Sequence, residues 1–212
     1  MVGYIVTGKE VKSSDYVLVP FVDSMNHVTS ATTELSFSPV TGDLGVSVNR
    51  GYRVGEQAYI SYGLKSNDEL LQFYGFVEAD CPADTYVVVD FPTKLDELGI
   101  HADTSVEKEV VFRRGPEVVS KETLEGLRSL LGIANGTGEG DSAVWRALRA
   151  TCEAELLRVR PAIEAVRGAA GGGSGEGVRQ RLAWAFRREK ASVLDEAIRN
   201  LEGLERAAQR VQ

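Results

Sequence analysis

The sequence has few of the residues that build metal centres and disulfide frameworks. Its 212 residues include only two cysteines and two histidines. Cys81 and Cys152 lie far apart and belong to no CxxC pair or cysteine–histidine cluster, so neither a zinc site nor a disulfide scaffold is predicted. We interpret both as reduced thiols of an intracellular protein, and we predict no metal site. His101 stands alone in a polar segment, and we expect it at the surface.

Several common sequence signatures are also missing. No apolar run approaches the length of a membrane span, and the first residues lack the patterns of a signal or transit peptide. There is no P-loop, no GxSxG, no HExxH and no GxGxxG motif after a strand, so the enzyme classes that depend on them are unsupported. The net charge of −7 is not that of a protein that neutralises phosphates. We expect neither a nucleic acid nor a membrane as a partner.

The first 80 residues are rich in strand and turn signals. Residues 16–22 (YVLVPFV) are β-branched and aromatic, which predicts a buried strand. Alternating residues on both sides of Thr41-Gly42-Asp43 predict a hairpin. Residues 58–62 predict a further strand that ends before Gly63. This part of the chain is therefore predicted to be a small β-rich unit.

A helix start follows directly. Ser66 precedes Glu69 by three residues, which is the spacing of a capping box. Apolar residues continue from Leu70, and Gly75 is a plausible stop. We therefore predict a short helix that ends in the Tyr74-Gly75-Phe76 sequence.

The remainder of the chain shifts towards helix-forming residues. Strands are predicted at 85–91 and 108–115, and a helix is predicted after an N-cap at Ser120. A long helix is predicted from 142 to about 166, which Pro161 should kink or end. A glycine-rich connector, 168–177, separates it from a last helix over 178–212. The fold class is therefore α+β, with a β-rich unit over 1–80 and a mostly helical unit over 86–212.

The candidate functional residues cluster in the first unit and just after it. They are Asp23, Asn26, His27, Tyr62, and the pair Tyr74 and Phe76. Taken one at a time, each has a structural explanation as a turn at a strand end or as an aromatic anchor before a helix. The residues alone leave both explanations open.

Taken together, the motifs resemble a known family. The string VPFVDSMNH, followed about thirty residues later by RVGEQAYISYGLKSNDELLQFYGF, resembles the C-terminal half of a SET domain in the Rubisco large-subunit methyltransferase branch. The resemblance covers roughly residues 17–77. The stretch FRREKASVL, with Glu189 and Lys190, more loosely resembles the last helix of the substrate-binding domain that this branch carries.

The resemblance implies a protein-lysine N-methyltransferase that uses S-adenosyl-L-methionine. Asn26 and His27 would hold the methionine part of this cofactor, Phe76 would lie against its adenine, and Tyr74 would line the same pocket. Tyr62 matches the active-site tyrosine.

The resemblance also places two residues near the target lysine. The backbone carbonyl of Asp23 would face the transferred methyl group, and Thr7 would take the place of a serine beside the lysine channel. A protein that carries the target lysine is the implied partner.

The sequence departs from the family pattern at its start. The first half of a SET domain, with its glycine-containing cofactor loop, has no counterpart, so we expect an N-terminally incomplete form that binds S-adenosylmethionine poorly by itself. Two alternatives remain: a non-catalytic interaction module with a degenerate SET remnant, and a protein-histidine methyltransferase. The resemblance is compatible with chloroplast, cytoplasm or nucleus.

Overall fold

The computed structural model describes residues 19–38, 40–48, 50–101, 107–133, 138–169 and 176–209. Contacts between Cα atoms divide the chain into two compact units, Met1–Leu64 and Lys65–Gln212. The division falls before the capping box, earlier than the predicted boundary near residue 80. The reason is that the capping-box segment is bonded to the last helix of the second unit, as described below.

The first unit contains four short strands. Strand β1 (Asn26–His27) pairs in parallel with β4 (Tyr59–Ile60), and β2 (Thr33–Phe37) pairs in antiparallel fashion with β3 (Leu44–Val48). The β2–β3 hairpin confirms the turn predicted at Thr41–Asp43. The strand predicted over 58–62 is present in its two central residues.

The strand predicted over 16–22 is wrong where the structure describes it. Residues 20–24 form a turn, because the Asp23 carboxylate accepts a hydrogen bond from the Val19 N–H and the Asp23 N–H donates to the Val19 carbonyl. Pro20 has no N–H to give to a sheet. Phe21 has a φ of 70° and is exposed, so the apolar run does not form a buried strand.

The second unit opens on the predicted capping box. The Ser66 hydroxyl accepts from the Glu69 N–H, and the Glu69 carboxylate accepts from the Ser66 N–H at 3.0 Å. Helix α1 (Asn67–Glu69) continues as a π-helical turn, Leu70–Tyr74. Gly75 ends it with a φ of 75°, a left-handed conformation that costs little at glycine.

A two-stranded sheet and a short helix follow. Strand β5 (Thr85–Val89) pairs in antiparallel fashion with β6 (Glu109–Arg113). The predicted strand 85–91 ends two residues early, because Phe91 begins helix α2 (Phe91–Glu97) and Pro92 favours a first helical turn. His101 is at the surface, as predicted, with its side chain 98% exposed.

Three longer helices complete the second unit. They are α3 (Lys121–Leu130), α4 (Gly138–Ala169) and α5 (Glu176–Gln209). Ser120 caps α3 as predicted. Pro161 was expected to kink or end α4, but the helix continues through it for eight residues. Among the described residues, no helix has the length and apolarity that a membrane span requires.

The core of the second unit lies between the β5–β6 sheet and helices α2 to α5. The apolar face predicted for α4 is confirmed, since all four of its residues are buried. The fully buried side chains include Val88, Phe91, Leu95, Val110, Phe112, Leu127, Val144, Leu148, Cys152, Val193, Leu194, Ala197 and Leu201.

Candidate functional site

The parallel pairing of β1 with β4 brings His27 next to Tyr62. His27 lies opposite Ile60, and the Val28 N–H donates to the Ile60 carbonyl at 3.2 Å. Tyr62 follows β4 by two residues, so its position is set by this pairing although 35 residues separate it from His27. The motif Asn-His and the motif Tyr-Gly therefore form one site in the folded unit.

The His27 ring is buried and engaged at both nitrogens. The Tyr62 N–H donates to His27 Nδ1 at 2.9 Å, and Nε2 lies 3.2 Å from the Thr29 hydroxyl. Because Nδ1 accepts, the ring in this arrangement is the neutral tautomer with its proton on Nε2. The two rings are stacked, with centroids 4.9 Å apart. His27 thus fixes both the backbone and the ring of Tyr62.

The Tyr62 phenol is oriented by the chain just before β1. Its hydroxyl donates to the Met25 carbonyl at 2.7 Å, while the side chain as a whole is half-buried. A phenol whose proton is committed to a carbonyl keeps its oxygen lone pairs as acceptors. Such an oxygen can accept weak hydrogen bonds from polarised C–H groups.

The other residues predicted in this unit have different surroundings. Asn26 is exposed, whereas His27 is buried, because successive residues of a strand point to opposite faces. Asp23 is exposed in the turn that precedes β1. Thr7 lies outside the described residues. The structure thus joins the imidazole and the phenol, and the Asn26 carboxamide faces solvent on the other side of the strand.

Tyr74 and Phe76 form a pair of their own in the second unit. Their ring centroids are 6.4 Å apart with the planes at 61°, an edge-to-face arrangement. The left-handed Gly75 between them turns the chain so that the two rings meet. Tyr74 is 45% exposed, and the Lys65 Nζ lies 5.9 Å from the centre of its ring. An exposed aromatic edge at a chain turn is suited to packing against a flat ligand.

A buried ionic cluster behind this pair was not predicted from the sequence. Lys190 of α5 donates to Asp68, to Asp84 Oδ1 at 2.7 Å and to the Thr85 carbonyl at 2.7 Å. Asn67 also donates to Asp84. The only sequence signal was the Glu189-Lys190 pair of the FRREKASVL stretch, because Asp84 reads as an ordinary loop residue.

The neighbouring Glu189 belongs to a second set of contacts. Its carboxylate accepts from the Asp80 N–H at 2.9 Å and pairs with Arg114 at 3.4 Å. Arg114 also pairs with Glu196 at 2.8 Å. The Glu-Lys pair therefore joins α5 to the segment between residues 80 and 85, which is a structural role within the second unit.

Solved structures resemble this chain. One, described as Rubisco LSMT bound to sinefungin and monomethyllysine, is 23% identical, with a TM-score of 0.52 over 91% of this chain and 51% of that one. Another, described as the SET domain of LSMT bound to lysine and AdoHcy, is 21% identical, with a TM-score of 0.54 over 94% of this chain and 53% of that one. This chain shares their fold.

The shared fold confirms the predicted α+β class and the resemblance to SET-domain structures of LSMT. The chain spans about half the length of the solved structures that it matches. Neither a protein-family model nor a curated protein matches the sequence.

Proposed function

We propose that this protein takes part in transferring a methyl group from S-adenosylmethionine to a lysine side chain of a protein substrate. The observation that carries the proposal is the Tyr62 phenol, which His27 stacks against and the Met25 carbonyl holds by a hydrogen bond. It is supported by the shared fold with structures described as bound to AdoHcy, sinefungin, lysine and monomethyllysine.

The described residues suit the chemistry of such a cofactor. Its methionine part carries a carboxylate and an ammonium group, and the exposed Asn26 carboxamide offers both donors and an acceptor. His27 uses both ring nitrogens inside the protein, so we assign its side chain to holding Tyr62. Tyr74 and Phe76 present aromatic surface for an adenine ring. When bound, the cofactor supplies an electrophilic methyl group on a sulfonium.

The role of Tyr62 in this proposal is to orient the reacting groups. Displacement at a methyl carbon needs the nitrogen, carbon and sulfur in line, and holding reactants in place can supply up to about 7–11 kcal/mol of the barrier. The phenol oxygen accepts C–H···O contacts of about 0.5–1 kcal/mol each, which align the methyl group without driving the step. We also assign the Asp23 carbonyl and Thr7 to the lysine side of this site. Aromatic surroundings favour the neutral amine that must attack.

The central test is the substitution Tyr62→Phe in the protein at its full natural length. Loss of the oriented oxygen should lower the rate of methyl transfer about 5- to 30-fold, while the KM for S-adenosylmethionine stays within about twofold. Tyr52→Phe, which removes a phenol oxygen elsewhere in the same unit, is the matched control and should leave the rate within about twofold. An unchanged rate for Tyr62→Phe would remove Tyr62 from the mechanism.

We further propose that residues 1–212 by themselves bind S-adenosylmethionine weakly. The chain corresponds to about half of the matched structures, and a pocket built from part of a domain offers fewer contacts to its ligand. Calorimetry with residues 1–212 should show no binding tighter than about 100 μM, or about −5.5 kcal/mol. Micromolar affinity would contradict this part of the proposal.

A further inference from the structure

The side chain of Asn67 clamps the backbone just beyond Phe76. Asn67 is fully buried, its Oδ1 accepts from the Glu78 N–H at 2.8 Å, and its Nδ2 donates to the Glu78 carbonyl at 3.0 Å. Both backbone groups of one residue are therefore bound by one carboxamide. Because Asn67 is also the first residue of α1, it closes an 11-residue loop that carries Tyr74 and Phe76.

Asp84 fixes the orientation of that carboxamide. Its Oδ2 accepts from Asn67 Nδ2 at 2.9 Å, and its Oδ1 accepts from the Asn67 N–H at 3.0 Å. The Thr85 N–H also donates to Oδ1 at 3.0 Å. Asn67 Nδ2 is thus held between two acceptors, which excludes the flipped amide and leaves Oδ1 facing Glu78.

Lys190 connects this arrangement to helix α5. Its ammonium group supplies the positive charge beside the buried Asp84 carboxylate and also binds Asp68 of α1. The adjacent Glu189 binds the Asp80 N–H. Two successive residues of α5 therefore hold the chain on both sides of the loop between Glu78 and Asp84.

We propose that Asn67, Asp84 and Lys190 are positioning residues that set the conformation of the Tyr74–Glu78 segment and make it dependent on helix α5. If the proposed function holds, this network determines the affinity for the adenine part of the cofactor without touching it. The helical unit would then act on cofactor binding as well as on substrate docking.

Amide hydrogen exchange tests the structural half of the proposal. The variants are Lys190→Met, and Asp68→Asn as a milder change at a side chain that is 54% exposed; Lys94→Met, at a surface lysine that pairs with Glu97, is the matched control. Exchange at Glu78 and Asp80 should rise about tenfold more than at Leu148 of the α4 core in Lys190→Met, and by a smaller factor in Asp68→Asn. Lys94→Met should leave these rates within about twofold.

Equal acceleration at Glu78, Asp80 and Leu148 would mean that the network only adds global stability, and would overturn the proposal. If Lys190→Met does not fold, Asp68→Asn decides the outcome by the same comparison.

Kinetics on the protein at its full natural length test the functional half. In Asp68→Asn and Lys190→Met, the KM for S-adenosylmethionine should rise about three- to tenfold while kcat changes less than about twofold. A fall in kcat with an unchanged KM would contradict the positioning role. If the unsubstituted protein transfers no methyl group, the proposed function fails, and the exchange experiment still decides whether the network holds the segment.

Discussion

The hydroxyl of Tyr86 illustrates how one buried residue stores a pH dependence. It donates to Glu155 Oε2 at 2.7 Å and accepts from Arg158 Nη2 at 3.1 Å. Burial, together with the hydrogen bond to the Glu155 carboxylate, raises the pKa of Tyr86 to about 12 from an ordinary value of 10.0. Burial alone would raise the pKa of Glu155, but the hydrogen bonds from Arg158 and Tyr86 lower it.

These values predict a loss of stability at alkaline pH. Between pH 10 and 12 the unfolded chain loses the Tyr86 proton and the folded chain keeps it, so the contribution is full below pH 10 and is lost as the pH rises through 12. Over this range the free energy of unfolding should fall about 2–3 kcal/mol more than in Tyr86→Phe. Urea titrations followed by tryptophan fluorescence measure this, since both tryptophans, Trp145 and Trp184, lie in the second unit. Parallel pH profiles for the two proteins would refute the assignment.

The site residues differ in how far the sequence could predict them. The Asn-His and Tyr-Gly motifs identified Tyr62 and His27 by resemblance, and the structure brings these two together. The engagement of the His27 ring with the Tyr62 N–H was not predictable, because it depends on the register of β1 against β4, two strands of two residues each. Asp84 carried no signal, since its partners Lys190 and Asn67 are 106 and 17 residues away.

At the scale of single elements, local rules succeeded where the cause was local. The capping box at Ser66 and the N-cap at Ser120 were predicted correctly because each depends on residues within three positions. The strand over 16–22 was predicted from composition, but in residues 19–22 the Asp23 carboxylate favours a turn. Pro161 lies inside α4, where packing of the helix face on the core outweighs the preference of proline for a helix end.

The capping box yields a stability prediction for helix α1. Ser66→Ala removes the acceptor of the Glu69 N–H and should lower the free energy of unfolding of the second unit by about 0.5–2 kcal/mol. Ser129→Ala, at an exposed position of α3, serves as the control and should change it by less than about 0.5 kcal/mol. The two variants are compared by urea denaturation with tryptophan fluorescence; equal stabilities would show that the cap contributes nothing.

At the scale of the whole molecule, the class of fold was predictable and the division into units was less so. A β-rich beginning followed by long amphipathic helices indicated an α+β chain, and the solved structures that it resembles have the same fold. The division at Leu64–Lys65 was missed because helix α1 and the π-helical turn follow strands in sequence. Their grouping with the helical unit depends on buried charges on α5 that are more than 100 residues away.

The most direct measurement of the proposed activity follows a deuterated methyl group from labelled S-adenosylmethionine into protein. With the protein at its full natural length, mass spectrometry should find the label on the side-chain nitrogen of lysine, and Tyr62→Phe should reduce the labelling rate about 5- to 30-fold. Label on histidine would instead support the histidine methyltransferase. No label in any protein, or equal labelling by Tyr62→Phe, would contradict the account of Tyr62 as the residue that orients the methyl group.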